Sequence, residues 1–242
     1  MEGSAIAVTN ISVTSLVNGE HDSSRLRKQP VPPITTSQSD EYCHRLADIS
    51  SRATVTDPLN IVFQQEKTGP SKPVTADMIY IGSKRRIETK VAAGALIVEA
   101  CNFAAIACWE PPSSNPPPLT EAQYQEIAAE RPVFAQFVRD IQNAQDACLG
   151  VPAPRHWKLS LMARDPERKD KGAVRAVIEP FVARAKKERV PLWLVAGNPR
   201  ARDVYAYFGF RVVQVIWSFP KDGPWKESSV PTWCMVCNWP LE

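Results

Sequence analysis

Asn198-Pro-Arg-Ala-Arg-Asp-Val-Tyr-Ala-Tyr-Phe-Gly-Phe210 says more about the architecture than any other segment of this chain. It follows Leu192-Trp-Leu-Val195, an apolar run that reads as a strand, and leads through a turn into a short helix. Gly209-Phe210 then opens onto another strand, Arg211 to Trp217. One step upstream, Ala173 to Glu188 sets Val174, Val177, Ile178, Phe181, Val182 and Ala185 on one helical face, and Pro180 predicts a kink within it. Before that helix, Trp157-Lys-Leu-Ser-Leu-Met-Ala-Arg164 is apolar on both faces, as a central strand is, and Asp165-Pro166 ends it. Residues 157–217 therefore read as a βαβαβ unit.

Further out, Ala95 to Cys101 and Ala104 to Trp109 form a hairpin signal turning at Asn102-Phe103, and the prolines of 111–118 stop regular structure. Thr120 and Gln123 make a capping box for a helix to about Glu130, with a second helix over Val133 to Leu149. Thr75 caps a helix from about Asp77 to Ala92, with Met78, Ile81 and Ile87 inward and Gly94 at its end. Ser39 caps a helix over 39–52, and Leu59 to Phe63 is a short apolar patch ahead of a loop. Ile6, Val8, Ile11, Val13 and Leu16 alternate as a strand, residues 18–38 read as a polar insert, and a last strand is expected over 232–239. These elements predict an α/β chain with a mixed, mostly antiparallel central sheet and helices on both faces. A single domain over 1–242 is expected, with loop inserts at 18–38 and 111–118.

With 29 Lys and Arg against 26 Asp and Glu, the formal net charge of +3 is too weak a bias to draw nucleic acid. No window approaches the roughly 18 apolar residues of a membrane span, and the N-terminal residues lack the basic region of a secretory signal. A cytoplasmic monomer or homodimer is expected. The six cysteines are scattered. Cys234 and Cys237 form a CxxC inside a strand-like apolar run without a second pair or nearby histidines, so buried thiols are expected rather than zinc or redox chemistry. No metal cluster, nucleophile elbow or Cys–His arrangement stands out. His156, at the start of the central strand, reads as structural, and His21 and His44 lie in segments without a site signal.

Asn198, Ala201, Tyr205, Gly209 and Phe210 fall in register with Asn-x-x-Ala-x-x-x-Tyr-x-x-x-Gly-Phe, which resembles the end of the GNAT acetyltransferase core. The resemblance extends over about residues 75–240 and is strongest over 157–212. It implies that the GNAT strand ending Leu-Ala-Val-Asp-Pro and its following loop, Gln/Arg-x-x-Gly-x-Gly/Ala, correspond to Leu161-Met-Ala-Arg-Asp-Pro-Glu-Arg-Lys-Asp-Lys-Gly-Ala-Val174. The amides of such a loop hold the CoA pyrophosphate at a helix N-terminus. Met162, Ala163, Arg164, Lys169, Asp170, Lys171, Gly172, Ala173 and Val174, with Asn198, would thus bind acetyl-CoA. Tyr205 would protonate the departing thiolate.

Four positions depart from the GNAT pattern: Lys169 stands for Gln/Arg, Asp170 for the first Gly, Val174 for the last Gly/Ala, and Arg164 for the usual Val. Asp170 sets a negative charge, and Val174 β-branched bulk, where the backbone approaches a phosphate. Glu99 and Glu110, on or just after the hairpin strands flanking the acceptor groove, are the candidate general bases. Trp225 lies in a loop that would cover the acceptor, whereas Tyr207 reads as packing. Trp109-x-Pro111-Pro112 and Pro180 are similar to a filamentous-fungal branch. The implied activity is acetyl transfer from acetyl-CoA to a primary amine of a small molecule, by direct attack. Asp170, Val174 and Arg164 leave two alternatives. One is a GNAT-like enzyme without CoA, catalysing a cyclisation or rearrangement in secondary metabolism with Arg164 as a substrate-carboxylate or oxyanion partner. The other is a non-catalytic binding protein.

Overall fold

The chain runs β1 (Ile34–Ser37), α1 (Asp40–Thr54), α2 (Pro58–Thr68), α3 (Ala76–Ala92), β2 (Leu96–Ala100), β3 (Ala105–Glu110), α4 (Glu121–Glu130) and α5 (Pro132–Leu149). It continues through β4 (Trp157–Arg164), α6 (Ala173–Glu188), β5 (Leu192–Ala196), α7 (Pro199–Tyr207), β6 (Arg211–Ser218) and β7 (Val230–Cys237). These elements come from a computed structural model that describes residues 30–220, 227 and 229–240. The strand expected over 5–17, most of the polar insert, His21 and Trp225 lie outside the described residues.

One sheet has the order β1-β2-β3-β4-β5-β7-β6. Only β4 and β5 pair in parallel; β7 inserts antiparallel between β5 and β6, so the βαβαβ unit does not leave its third strand beside its second. Strand alternation sends Val98, Ala100, Ala105, Ala107 and Trp109 to the face covered by α6. Ile97, Ile106 and Cys108 go to the opposite face, under α1 and α3. Trp109 stacks on Phe181 with ring centroids 4.6 Å apart, and its indole N–H donates to the Val177 carbonyl at 3.0 Å, so this large buried ring keeps no unmet donor. A third cluster, with Phe137, Ile141 and Ala144 of α5, covers Trp193, Ile216, Cys234 and Val236.

Several elements differ from the sequence reading. Ile34–Ser37, assigned to the insert, is a strand whose register runs Ile34 against Ala100. The patch at 59–63 belongs to α2, which Asp57 at the N-cap and Pro58 in the first turn start in a conventional way. On α3, Ile87 faces inward as expected, but its buried neighbours are Ile79 and Ser83 while Ile81 is 70% exposed, so the inward stripe is rotated away from Ile81. Tyr207, expected to pack, is 79% exposed; Tyr205 takes the buried position. The Thr120 capping box forms as expected. Cys234 and Cys237 lie on β7 as free thiols.

The feature that makes a site is a divergence of two strands. β4 and β5 pair only at Trp157–Leu159 against Leu192–Leu194. The β3–β4 register then shifts, with Trp109 opposite Leu159 but Cys108 opposite Leu161, which leaves Ser160 as a bulge. Beyond it, β4 stays with β3 while Val195 and Ala196 of β5 stay with β7.

Candidate active site

Where β4 and β5 part, a cleft of about 160 Å³ opens on the α1/α3 side of the sheet. Its strand walls are Leu159 to Met162 and Val195 to Gly197. Beyond Leu159 and Leu194 each of these strands is paired on its outer side only, so backbone N–H and C=O groups there face the gap. Tyr205 and Ala201 of α7 reach it from below, and Asp57, Ser50, Thr54, Ile79, Ser83 and Arg86 from the helical side.

Asn198 joins two of these walls. Its side-chain oxygen accepts from the Ala201 amide at 2.8 Å, capping α7, and its side-chain nitrogen donates to Asp57 Oδ2 at 2.9 Å. The β5–α7 turn is thereby tied to the α1–α2 turn. Burial pushes the Asp57 carboxyl above the ordinary carboxylate value, and the bond from Asn198 offsets part of that rise. Tyr205 is 6% exposed, and burial pushes its phenol well above the ordinary value, so its hydroxyl keeps its proton.

The segment after β4 is anchored at both ends. Arg52 of α1 binds Asp165 through both terminal guanidinium nitrogens, at 3.2 and 3.3 Å, and holds the Asp165 carboxyl below the usual range. Arg168 grips Asp170 at 2.8 and 3.0 Å and donates to the Asn102 carbonyl at 2.6 Å. The Asp170 charge is thus directed at Arg168 and countered there. Val174 packs onto the core cluster under α6 instead of lying over the loop. Lys169 and Lys171 are exposed, Ala173 is buried, and Gly172 takes a left-handed φ of +82° as the N-cap of α6 without a side-chain cap. A Cβ at Gly172 would meet Pro32 Cδ at 3.1 Å, so Pro32 rests over that turn.

The structure brings Met162, Asn198 and Tyr205 together in the cleft. Ala163 packs in the core cluster with Ile106 and Cys108 under α1 and α3 and does not line the cleft, and Arg164 sits at the end of β4 opposite Ala105. The stretch from Lys169 to Val174 forms the turn into α6, outside the cleft wall. Glu99 and Glu110 are both buried and neither lines the cleft. Glu99 accepts from Thr35 and, at 2.8 Å, from the Phe103 amide, holding the hairpin turn where Cys101, Asn102 and Phe103 all have positive φ. Glu110 binds Lys90 at 2.6 Å and Ser160 at the bulge. His156 donates from Nδ1 to the Pro154 carbonyl, 2.9 Å away, and burial lowers its pKa.

Two cleft residues escaped the sequence reading. Asp57 was announced by Asp-Pro before an apolar run, a helix-start signal, but nothing local places it against Asn198, 141 residues on. Arg86 carries no sequence signal beyond its spacing from Ile79 and Ser83. Among the described residues no His, Cys, Asp and Glu are grouped to hold a metal, and no helix is long and apolar enough to cross a membrane.

Among solved structures, arylalkylamine N-acetyltransferase 2 of Aedes aegypti superposes with a TM-score of 0.57 at 11% identity, over 84% of this chain and 97% of that one. The chain has the GNAT acetyltransferase fold. A histone acetyltransferase HPA2-related acetyltransferase of Corynebacterium glutamicum matches this chain with a TM-score of 0.51 at 17% identity, over 86% and 96% of the two chains. The polyamine N-acetyltransferase of Drosophila melanogaster gives 0.52 at 11%, over 84% and 99%. A curated protein of Schizosaccharomyces pombe, an uncharacterized N-acetyltransferase, is 24% identical over 131 residues, covering 50% of this chain and 53% of that protein. The match thus spans about half the length of the relative. No family model matches the chain.

Proposed function

We propose that this GNAT chain is an N-acetyltransferase that moves an acetyl group from acetyl-CoA to a primary amine of a small molecule. The observation that carries the reading is the cleft between the diverging strands. It sets an unionised phenol, Tyr205, beside a carboxylate of raised proton affinity, Asp57, with Asn198 between them. A pair of titratable groups poised this way in a cleft is what acid–base chemistry requires.

The residues present fit acetyl-CoA. The unpaired edges of β4 and β5 would take the pantetheine amides. The first-turn amides of α6, without a side-chain cap, would take the pyrophosphate, with Lys169 and Lys171 beside them. Arg168 removes the objection raised by Asp170, and the inward packing of Val174 removes the one raised by its bulk.

In the reaction Asp57 would take a proton from the ammonium form of the acceptor. That frees the nitrogen lone pair to form a bond with the thioester carbonyl carbon as the carbon–sulfur bond breaks. Tyr205 would give its hydroxyl proton to the leaving sulfur and recover a proton from the product nitrogen. In a dry cleft the thiolate is desolvated too, so its proton affinity rises with that of the phenol and the transfer remains matched. Asp57 takes the base role because it lines the cleft, whereas Glu99 is engaged in the hairpin turn and Glu110 is held by Lys90 and Ser160 behind the wall.

Calorimetric titration with acetyl-CoA and CoA, followed by a mass-spectrometric screen of primary amines, tests the reading. Micromolar binding, about −8 kcal/mol, with acetylated products is the expected result. No binding at millimolar ligand would refute it and return the chain to CoA-free chemistry.

A further inference from the structure

Two side chains lining the cleft carry formal charge, Asp57 and Arg86. They differ in what surrounds them. Asp57 is bonded to Asn198. Arg86 forms no hydrogen bond or ion pair among the described residues, whereas Lys84 binds Asp40 and Glu88 and Lys90 binds Glu110; Arg85, also without a side-chain partner there, borders the outer groove and not the cleft. Helical spacing puts Ile79, Ser83 and Arg86 on one stripe of α3 facing the cleft. Arg86 also borders an outer groove with Arg85, Thr89 and Lys90, which places it where the cleft meets the surface.

The hydroxyls sort the same way. Ser50 and Thr54, beside Asp57, spend their protons on the Ala47 and Ser50 carbonyls, and Thr54 also accepts from Asn60 Nδ2 at 2.7 Å, so neither hydroxyl has a proton to give a ligand. Ser83, one turn before Arg86, has no such partner among the described residues and keeps its proton to give. The cleft therefore has an accepting, anionic end near Tyr205 and a donating, cationic end at its mouth.

We propose that the acceptor is a zwitterion, an amine that carries its own carboxylate. Arg86 and Ser83 hold the carboxylate, and the amine is presented to Asp57. This rests on the acetyltransferase reading above and narrows its substrate class. Arg86 is the one cation among the described residues that lines the cleft, which suits a monoanion; a phosphate dianion would call for a second cation inside it, and Arg85 and Lys90 border only the outer groove, where Lys90 is taken by Glu110. A diamine would set its second ammonium against Arg86.

The test uses matched pairs, phenylalanine with phenethylamine and ornithine with putrescine, as acceptors for the full-length protein with acetyl-CoA. Aminoethyl phosphate serves as the phosphate counterpart. The amino acid is expected to exceed its decarboxylated partner in kcat/KM by about 30-fold or more, and Arg86→Gln to bring that ratio to about 1. Arg86→Lys, which keeps the charge but not the fork, should fall between. Preference for the decarboxylated amines or for aminoethyl phosphate, or an equal loss for both members of a pair in Arg86→Gln, overturns the proposal. Calorimetry of the amino acids alone separates the two readings. Binding that vanishes in Arg86→Gln, in a protein that ignores acetyl-CoA, sinks acetyl transfer but keeps the carboxylate site. If amino acids bind neither alone nor with acetyl-CoA, the zwitterion proposal falls.

Discussion

Replacing Asn198 with alanine removes two bonds that serve different ends. The first caps α7 through the Ala201 amide at 2.8 Å, and losing such a cap costs about 1 kcal/mol. The second holds Asp57 at 2.9 Å, and a hydrogen bond to a charged group contributes about 1.5 kcal/mol at the low end, the end suited to a half-buried carboxylate. The sum, about 2.5 kcal/mol, corresponds to a fall in Tm of roughly 5–10 °C for a chain of this size. Asn198→Ser keeps a capping oxygen but is too short to reach Asp57, so it should cost only about 1.5 kcal/mol. In an Asp57→Ala background Asn198→Ala should lose only the cap, about 1 kcal/mol, which leaves a coupling of about 1.5 kcal/mol. Urea unfolding of the four variants at neutral pH measures all of these. The pH dependence adds a sign. A carboxyl whose folded pKa lies above its unfolded value favours folding at low pH, and that contribution is lost as pH rises through the folded pKa. Without Asn198 the Asp57 carboxyl rises further, so the loss of stability between mildly acid and neutral pH should be larger in Asn198→Ala than in the wild type. Equal costs for the Ala and Ser variants, or an unchanged cost of Asn198→Ala once Asp57 is gone, would refute the account of Asn198 as a two-sided clamp.

Tyr205→Phe should lower kcat by about 10²-fold or more while leaving Tm nearly unchanged, because the ring and its packing on Phe210 remain; kinetics beside a thermal melt check both. Asp57→Asn should abolish the acid limb of the kcat/KM profile, a limb expected above the ordinary carboxylate range in the wild type, and should leave stability at neutral pH no lower, since an amide also accepts from Asn198. Arg168→Ala should weaken acetyl-CoA binding more than Asp170→Ala does, because the first bares the Asp170 carboxylate and the second removes it; titration at low and high salt would show the difference shrinking with ionic strength.

Much of the fold was legible because its signals are local. The Thr120–Gln123 box, the hairpin at 96–110, the two-faced apolar run of β4 and the α6 stripe each arise from residues within a few positions of one another. The placement of β7 between β5 and β6 was not legible, since both arrangements bury the same apolar strand and only tertiary packing chooses between them. The inward face of α3 was misread because Ile81 looks like a core residue, whereas Ser83 and Arg86 look like surface. Ser83 is buried and Arg86 exposed, yet both line the cleft, which passes along that side of the helix to the surface. Tyr205 and Asn198 could be found from one motif. Asp57 could not, because its role depends on a contact across 141 positions.

The altered loop before α6 shows why letters alone misjudge a phosphate site. Asp170 in place of glycine introduces a charge, yet the charge that a ligand meets depends on where the carboxylate is directed, and Arg168 lies two positions away to bind it. Val174 adds bulk, yet the bulk matters only if it points at the ligand, and the helical phase of α6 turns it toward the core. The element that cannot be exchanged is Gly172, whose φ of +82° and 3.1 Å approach to Pro32 leave no room for a side chain. The same reasoning governs the acceptor side. Arg86 stands out because, among the described residues, it is the cation that lines the cleft and it has no partner there, whereas Lys84 and Lys90 are paired and Arg85 borders only the outer groove. An unmatched charge held at the mouth of a reactive cleft is most economically explained by an opposite charge that arrives with the substrate.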